Sequence, residues 1–274
     1  MRFLRRRIVI WLLLLPLLYL LVVALVAVMQ DVMVFPGKGG PDRGLPDVGG
    51  LEIGELVRED GGRFRTVTAA PAGQPAGVAL YFVGNGEDLY SAALGANVLR
   101  DYGLLVIGVE HAGYGASDGP AAVETLLSGA EIAARKARAM ADAQGIPLVA
   151  VGSSLGTFCA VHVASLGLVD RLILRAPPTS LAAVAKQRYF WLPVEMFLRH
   201  RFENLSKADS LACPVLVVHG DQDGIVPLEL GQELVAAIGD NAEMVVAHGY
   251  GHNNLPMDPA GPFGRSITEF LALP

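Results

Sequence analysis

The chain has 274 residues, 52% of them hydrophobic and 18% charged, with 21 basic and 27 acidic side chains and two cysteines. That length holds one large domain plus a small extra element. A net charge of −6 argues against a nucleic-acid partner, and two distant cysteines fit neither a disulfide framework nor a zinc-ligand spacing.

The chain opens with Arg2, Arg5, Arg6 and Arg7, followed by an uncharged stretch, residues 8–29, that includes Trp11 and Tyr19. As a helix these residues reach roughly 33 Å, against a hydrocarbon core of about 30 Å. The expected order is a basic tip over 1–7, a transmembrane anchor over 8–29, a linker over 30–50 that is rich in Gly and Pro, and a domain over 51–274. The positive-inside rule keeps the tip cytoplasmic and the domain extracytoplasmic. The alternative is a secretory signal cut after Ala24 or Ala27, leaving a secreted enzyme. The apolar stretch exceeds a usual signal core and lacks a clear Ala-x-Ala site, which favours an uncleaved signal-anchor. The rest of the chain holds 17 basic residues against all 27 acidic ones, a net charge of −10 that argues against anionic headgroups as partners.

Past the linker, strand-like runs at 52–58 and 63–69 and an apolar run at 78–83 read as strands. A helix at 89–101, a strand at 104–109, a helix at 121–143, a strand ending at Gly152, a helix at 157–165 and a strand at 171–175 follow. Strands alternating with helices predict a mainly parallel sheet covered on both faces, with ligands beyond the carboxyl ends of the strands. Residues 177–211 interrupt the alternation and carry Tyr189, Phe190, Trp191, Phe197 and Phe202. They predict a small helical cap whose aromatics, Trp191 and Phe197 among them, either line an acyl pocket or pack on the body.

Gly152-Ser153-Ser154-Leu155-Gly156 joins an apolar strand directly to a helix. A strand that reverses into a helix within one turn strains the apex residue and leaves room only for glycine two positions to either side. Ser154 alone has both glycines. Its hydroxyl becomes a nucleophile only if a base removes its proton and a carboxylate orients that base. Residues 213–218 read as a further strand, and the loop after it offers Asp221 and Asp223. Asp221, close to the strand end, suits bonding to turn amides, so Asp223 is the expected acid. After a last strand at 242–247, His252 lies in a glycine-flanked loop and is the expected base. His248, one residue past the strand, is expected to pack or cap it. Leu155 and Asn85, in the loop after the 78–83 strand, are the expected amide donors to an oxyanion. His111 is kept as a substrate contact. His162, His200 and His219 are read as packing or solvated side chains, and Cys159 and Cys213 as buried thiols. No cofactor or metal is expected.

On Gly84-Asn85, Gly113-Tyr114-Gly115-Ala116-Ser117-Asp118-Gly119, Gly152-Ser153-Ser154-Leu155-Gly156, His219-Gly220-Asp221-Gln222-Asp223 and Gly251-His252-Asn253, the chain resembles the serine hydrolases of the alpha/beta-hydrolase superfamily. It is most similar to their short-capped, membrane-anchored, bud-emergence-type group. The resemblance covers roughly residues 50–274 and implies a mostly parallel eight-stranded sheet with helices on both faces. It puts nucleophile, acid and base on Ser154, Asp223 and His252. Two departures stand out: Val83 where relatives carry His, and Glu110-His111-Ala112 where they carry Asp-Tyr-Arg. The expected activity is hydrolysis of ester-type acyl bonds on a small-molecule or lipid-like substrate. A serine peptidase and a catalytically silent binding module are the alternatives.

Overall fold

The computed structural model describes residues 2–272, with side chains from Trp11 onward. Helix α1 (Arg2–Val34) runs on past the expected end of the span at residue 29 and contains Pro16. Its stretch Trp11–Val34 is long and apolar enough to cross a membrane, as an anchor or signal sequence would. The first expected linker residues are therefore helical, and the linker does not hang free. Gln30, Val34 and Phe35 are buried, Phe35 completely.

The sheet begins with a hairpin of β1 (Leu51–Val57) and β2 (Arg63–Ala69), and β2 pairs antiparallel with β4 (Leu104–Val109). From there β3 (Gly77–Phe82), β5 (Leu148–Ser153), β6 (Arg171–Arg175), β7 (Val215–Gly220) and β8 (Ala242–Ala247) run parallel. The order across the sheet is β1-β2-β4-β3-β5-β6-β7-β8. The central strands β5 and β7 are buried at every position, as their unbroken apolar runs require of strands covered on both faces. Edge strand β1 is mostly exposed.

Helices α2 (Leu89–Leu99) and α8 (Gly264–Leu271) cover one face through Leu89, Ala93, Ile267 and Phe270. On the other lie α3 (Val123–Gln144), α4 (Gly156–Ser165) and α7 (Leu228–Ile238). Ala130, Ala133, Ala134, Ala137 and Ala141 form a buried small-residue stripe on α3 at helical spacing, which lets this long helix lie close to its neighbours. Gly145 ends α3 in the left-handed conformation, with φ 65°.

The cap is formed by α5 (Leu181–Arg188), α6 (Val194–Phe197) and a 3₁₀ turn at Leu205–Ser210. It packs on α1: Leu192, Val194 and Leu198 form a small core with Val23 and Val26. The Gln30 amide donates to Phe197 O (3.2 Å) and accepts from the Arg199 amide (2.7 Å). Asp31 accepts from His200 Nε2 at 2.9 Å and pairs with Arg199 at 2.8 Å. His200, read from sequence as solvated, is thus tied to the base of the N-terminal helix. Phe35 meets His200 and Phe202 edge-on, and Phe202 stacks on Phe158 of α4 at 5.0 Å. Phe35→Ala in the detergent-solubilised chain is expected to lower unfolding stability by about 3–5 kcal/mol in urea titration. A solvated linker side chain would change it by less than about 0.5 kcal/mol.

Candidate active site

Ser154 has φ 50°, one of two non-glycine residues with positive φ among those described. Such a conformation costs on the order of 1–3 kcal/mol and persists only where the surroundings impose it. A Cβ on Gly152 would lie 2.7 Å from Gly156 O, and one on Gly156 would lie 2.1 Å from Phe82 O. Both glycines are therefore dictated by the turn and by how closely the start of α4 approaches the end of β3. The Ser154 amide donates to Arg175 O at 2.9 Å, which ties the apex to β6.

The three distant side chains meet above the carboxyl ends of β5, β7 and β8. Ser154 Oγ donates to His252 Nε2 at 2.9 Å, and His252 Nδ1 donates to Asp223 Oδ2 at 2.7 Å. Asp223 Oδ1 accepts from the Ile225 and Val226 amides at 2.9 and 2.8 Å. Burial alone would raise the Asp223 pKa, but hydrogen bonds from His219, His252 and the Val226 amide outweigh it. The carboxyl stays well below the usual carboxylate range. His219 is fully buried, its Nε2 donating to Val226 O at 2.8 Å. Asp221 instead joins the acid loop to the base loop, accepting from His248 Nδ1 (2.9 Å) and the Gly249 amide (2.7 Å). Gly220 permits this approach: a Cβ there would sit 2.1 Å from Tyr250 O.

Asn85 and Leu155 line the same cleft as Ser154 and His252, a space of about 340 Å³ roofed by Pro178, Leu181 and Val184. The loop leaving β3 is braced from four sides. His111 Nε2 donates to Val83 O at 2.9 Å, and Glu87 accepts from the Gly84 amide. Tyr114 OH donates to Asn85 Oδ1 at 3.2 Å, and Gly37 presses on the Tyr114 ring and on Gly86. Glu110 Oε1 and Oε2 accept from the Leu89 amide (2.8 Å) and Ser117 Oγ (2.7 Å), holding the start of α2 against the Gly115 turn.

Three contacts expected from sequence fall in different places. His111 is 3% exposed and lies behind the oxyanion loop, where it faces the Val83 carbonyl and not the cleft. Phe197 packs with the α1–cap cluster and does not reach Ser154. Trp191 lines a neighbouring hollow that shares only Val184 and Ile225 with the catalytic cleft. Cys159 and Cys213 are free thiols. Among the described residues no cluster of His, Cys, Asp or Glu is placed to hold a metal ion.

Arg175 is the residue that the strand pattern did not single out. Its guanidinium donates to Ser153 Oγ (2.8 Å), His252 O (3.0 Å) and Leu255 O (3.0 Å), clasping the elbow to the base loop. A charged residue ending an otherwise apolar strand, one strand from the elbow, was the available signal.

A protein-family model described as TAP-like protein matches residues 191–272. An uncharacterized protein of Mycobacterium tuberculosis is 34% identical over 188 residues, 69% of this chain and 66% of that protein. The human alpha/beta hydrolase domain-containing protein 17B is 26% identical over 167 residues, 61% of this chain and 56% of that protein. The matches thus span less than two thirds of these relatives' length. Among solved structures, the Pyrococcus furiosus esterase Pf2001 superposes with a TM-score of 0.68 at 16% identity, over 84% of this chain and 97% of that one. The chain has the alpha/beta-hydrolase fold.

The two departures in this chain have a physical reading: Val83 stands where His was expected, and His111, just past the end of β4, donates to the Val83 carbonyl. Burial pushes its pKa down to about 4, so it is neutral at pH 7. The unfolded chain binds this proton near pH 6.5 and the native chain only near 4, so stability falls as pH drops through that window. The non-titrating His111→Asn variant is expected to lose less stability than the parent between pH 6.5 and 4.5, by on the order of 2 kcal/mol in paired urea titrations. Parallel losses in the two proteins would exclude a buried neutral His111.

Proposed function

We propose that the chain is a membrane-anchored serine hydrolase of ester-type acyl bonds. The observation that supports this most directly is the continuous line from Ser154 Oγ through His252 to an ionised, amide-held Asp223, with bonds of 2.9 and 2.7 Å. On this reading His252 Nε2 takes the Ser154 proton as Oγ attacks the acyl carbonyl. The Asn85 and Leu155 amides receive the developing oxyanion, and His252 then protonates the departing alcohol. Water repeats the sequence on the acyl-serine ester and frees the acid. Asp223 keeps Nδ1 protonated and steadies the imidazolium, and it need not accept the proton itself.

The short cap and the apolar α1 support a place beside the bud-emergence-type group, with the tip cytoplasmic and the domain extracytoplasmic. Fluorophosphonate labelling tests the nucleophile: the parent is expected to label, and Ser154→Ala to lose labelling together with at least about 10³-fold of kcat. Labelling that persists in the variant would remove Ser154 from the mechanism, and an unlabelled parent would favour the silent binding module. p-Nitrophenyl esters of increasing chain length, assayed beside aminoacyl anilides, are expected to be cleaved preferentially; faster anilide cleavage would make the chain a peptidase. Because Asp223 remains ionised below the usual carboxylate range, the acid limb of kcat/KM is expected to show a single ionisation, with activity rising with pH and no second step from this carboxylate. Two ionisations on that limb, or a flat profile, would oppose this assignment.

A further inference from the structure

We infer that the rim of the cap is a membrane-inserting surface, and that the catalytic cleft opens beside it to the bilayer and draws its acyl substrate from the lipid phase. This rests on the proposed anchor and acyl-hydrolase reading and adds to it a surface, a route and a substrate class. The deciding contact is Tyr19 OH, which donates to the Trp191 carbonyl at 2.9 Å. If hydrocarbon begins after Arg7, a core of about 30 Å takes up some 20 helical residues and ends near residue 27. Tyr19 then lies about 12 Å below the outer boundary, and tilting the helix lengthens the immersed stretch and sinks Tyr19 further. The residues between Arg7 and Tyr19 reach only about 18 Å, too little to cross with the cap held above the lipid. A cap fastened to α1 at Tyr19, Val23, Val26, Gln30 and Asp31 therefore cannot clear the membrane.

The rim is built for that position. Phe190 and Met196 are 83% and 85% exposed, and Trp191 is half exposed. Beside them stand Lys186, Arg188, Arg199 and Arg201; Glu195 pairs with Lys186 at 3.5 Å and Asp31 with Arg199 at 2.8 Å, so the edge keeps a net positive charge. This cationic edge on a domain of net charge −10 suits headgroup phosphates, so the expectation drawn from overall charge does not hold locally. Behind the rim, a hollow lined by Tyr189 and Trp191 adjoins the catalytic cleft across Val184 and Ile225. An acyl chain entering between α5 and the Ile225 loop passes Tyr189, Trp191, Val184 and Ile225 on its way to Ser154, while Gln187 and Arg188 line the hollow where a polar headgroup would sit. The substrate class is an amphiphile with its ester near the headgroup level.

The chain has two tryptophans, Trp11 and Trp191, so single-tryptophan variants report each position separately. The full-length protein is reconstituted into phosphatidylcholine–phosphatidylglycerol vesicles containing phosphatidylcholine brominated near the ester end of its chains. In Trp11→Phe, Trp191 emission is expected to be quenched to roughly half, as for a side chain seated in the interface. Quenching of Trp11 in Trp191→Phe without quenching of Trp191 would overturn the inference and leave the anchor standing. Quenching of neither would overturn the anchor and the inference together. In a second assay, Phe190→Asp/Met196→Asp is expected to keep parent-like turnover of a soluble p-nitrophenyl butyrate. The same variant should hydrolyse a long-chain ester embedded in vesicles on the order of tenfold more slowly. Equal rates for parent and variant on both esters would overturn entry through the rim. A parent that hydrolyses neither ester would sink the proposed function and the entry route, while rim insertion would still be decided by the quenching.

Discussion

Pairing of β3 with β5, which sets Phe82 opposite Gly152, is the contact on which the catalytic arrangement depends. It brings the loop leaving β3 and the elbow leaving β5 out of the sheet side by side. Gly156 then passes under the Phe82 carbonyl at a distance that leaves no room for a methyl group. The elbow's glycines, the left-handed Ser154 and the closeness of Leu155 to Asn85 all follow from this approach. A side chain at either glycine would push α4 away from the sheet, and Ser154 would move away from the Asn85 loop.

Asp223 and His252 come from loops after strands farther along the sheet, so those loops need separate fastening. Asp221 with His248 and Gly249 ties one loop to the other, and Arg175 ties the elbow to the base loop through three bonds. Asp223 is buried as a carboxylate, which is tolerable because two amides and two imidazoles surround it. A buried charge supplied with this many donors does not rotate freely, and it holds the His252 ring in one tautomer and one plane.

The N-terminal helix is structurally continuous with this machinery. Phe35, edge-on to Phe202, and Phe202, stacked on Phe158, form a line of ring contacts from the end of α1 to the helix that follows Ser154. The next residues lie behind the loop leaving β3, where a Cβ on Gly37 would run into the Tyr114 ring and Gly39 donates to Gly113 O at 2.9 Å. A segment that composition describes as a flexible tether therefore braces the site, and the cap is clamped to the helix that carries it.

Much of this was legible from the residues in order. The unbroken apolar runs of β3, β5 and β7 name buried parallel strands. Glycines flanking Ser154, with a strand before and a helix after, name the elbow, and the loops after β7 and β8 hold the acid and imidazole that the structure brings to it. Those features are local: each is set by backbone sterics or by period within a few residues. The neighbours of an irregular segment are not local. The burial of Phe35, the placing of His111 behind a loop 28 residues earlier in the chain, the threefold grip of Arg175 and the docking of Phe197 on α1 all join parts of the chain with no shared period or motif. Only the packed chain decides these contacts, because their free energy comes from surfaces that exist once the sheet, the cap and the helix have come together.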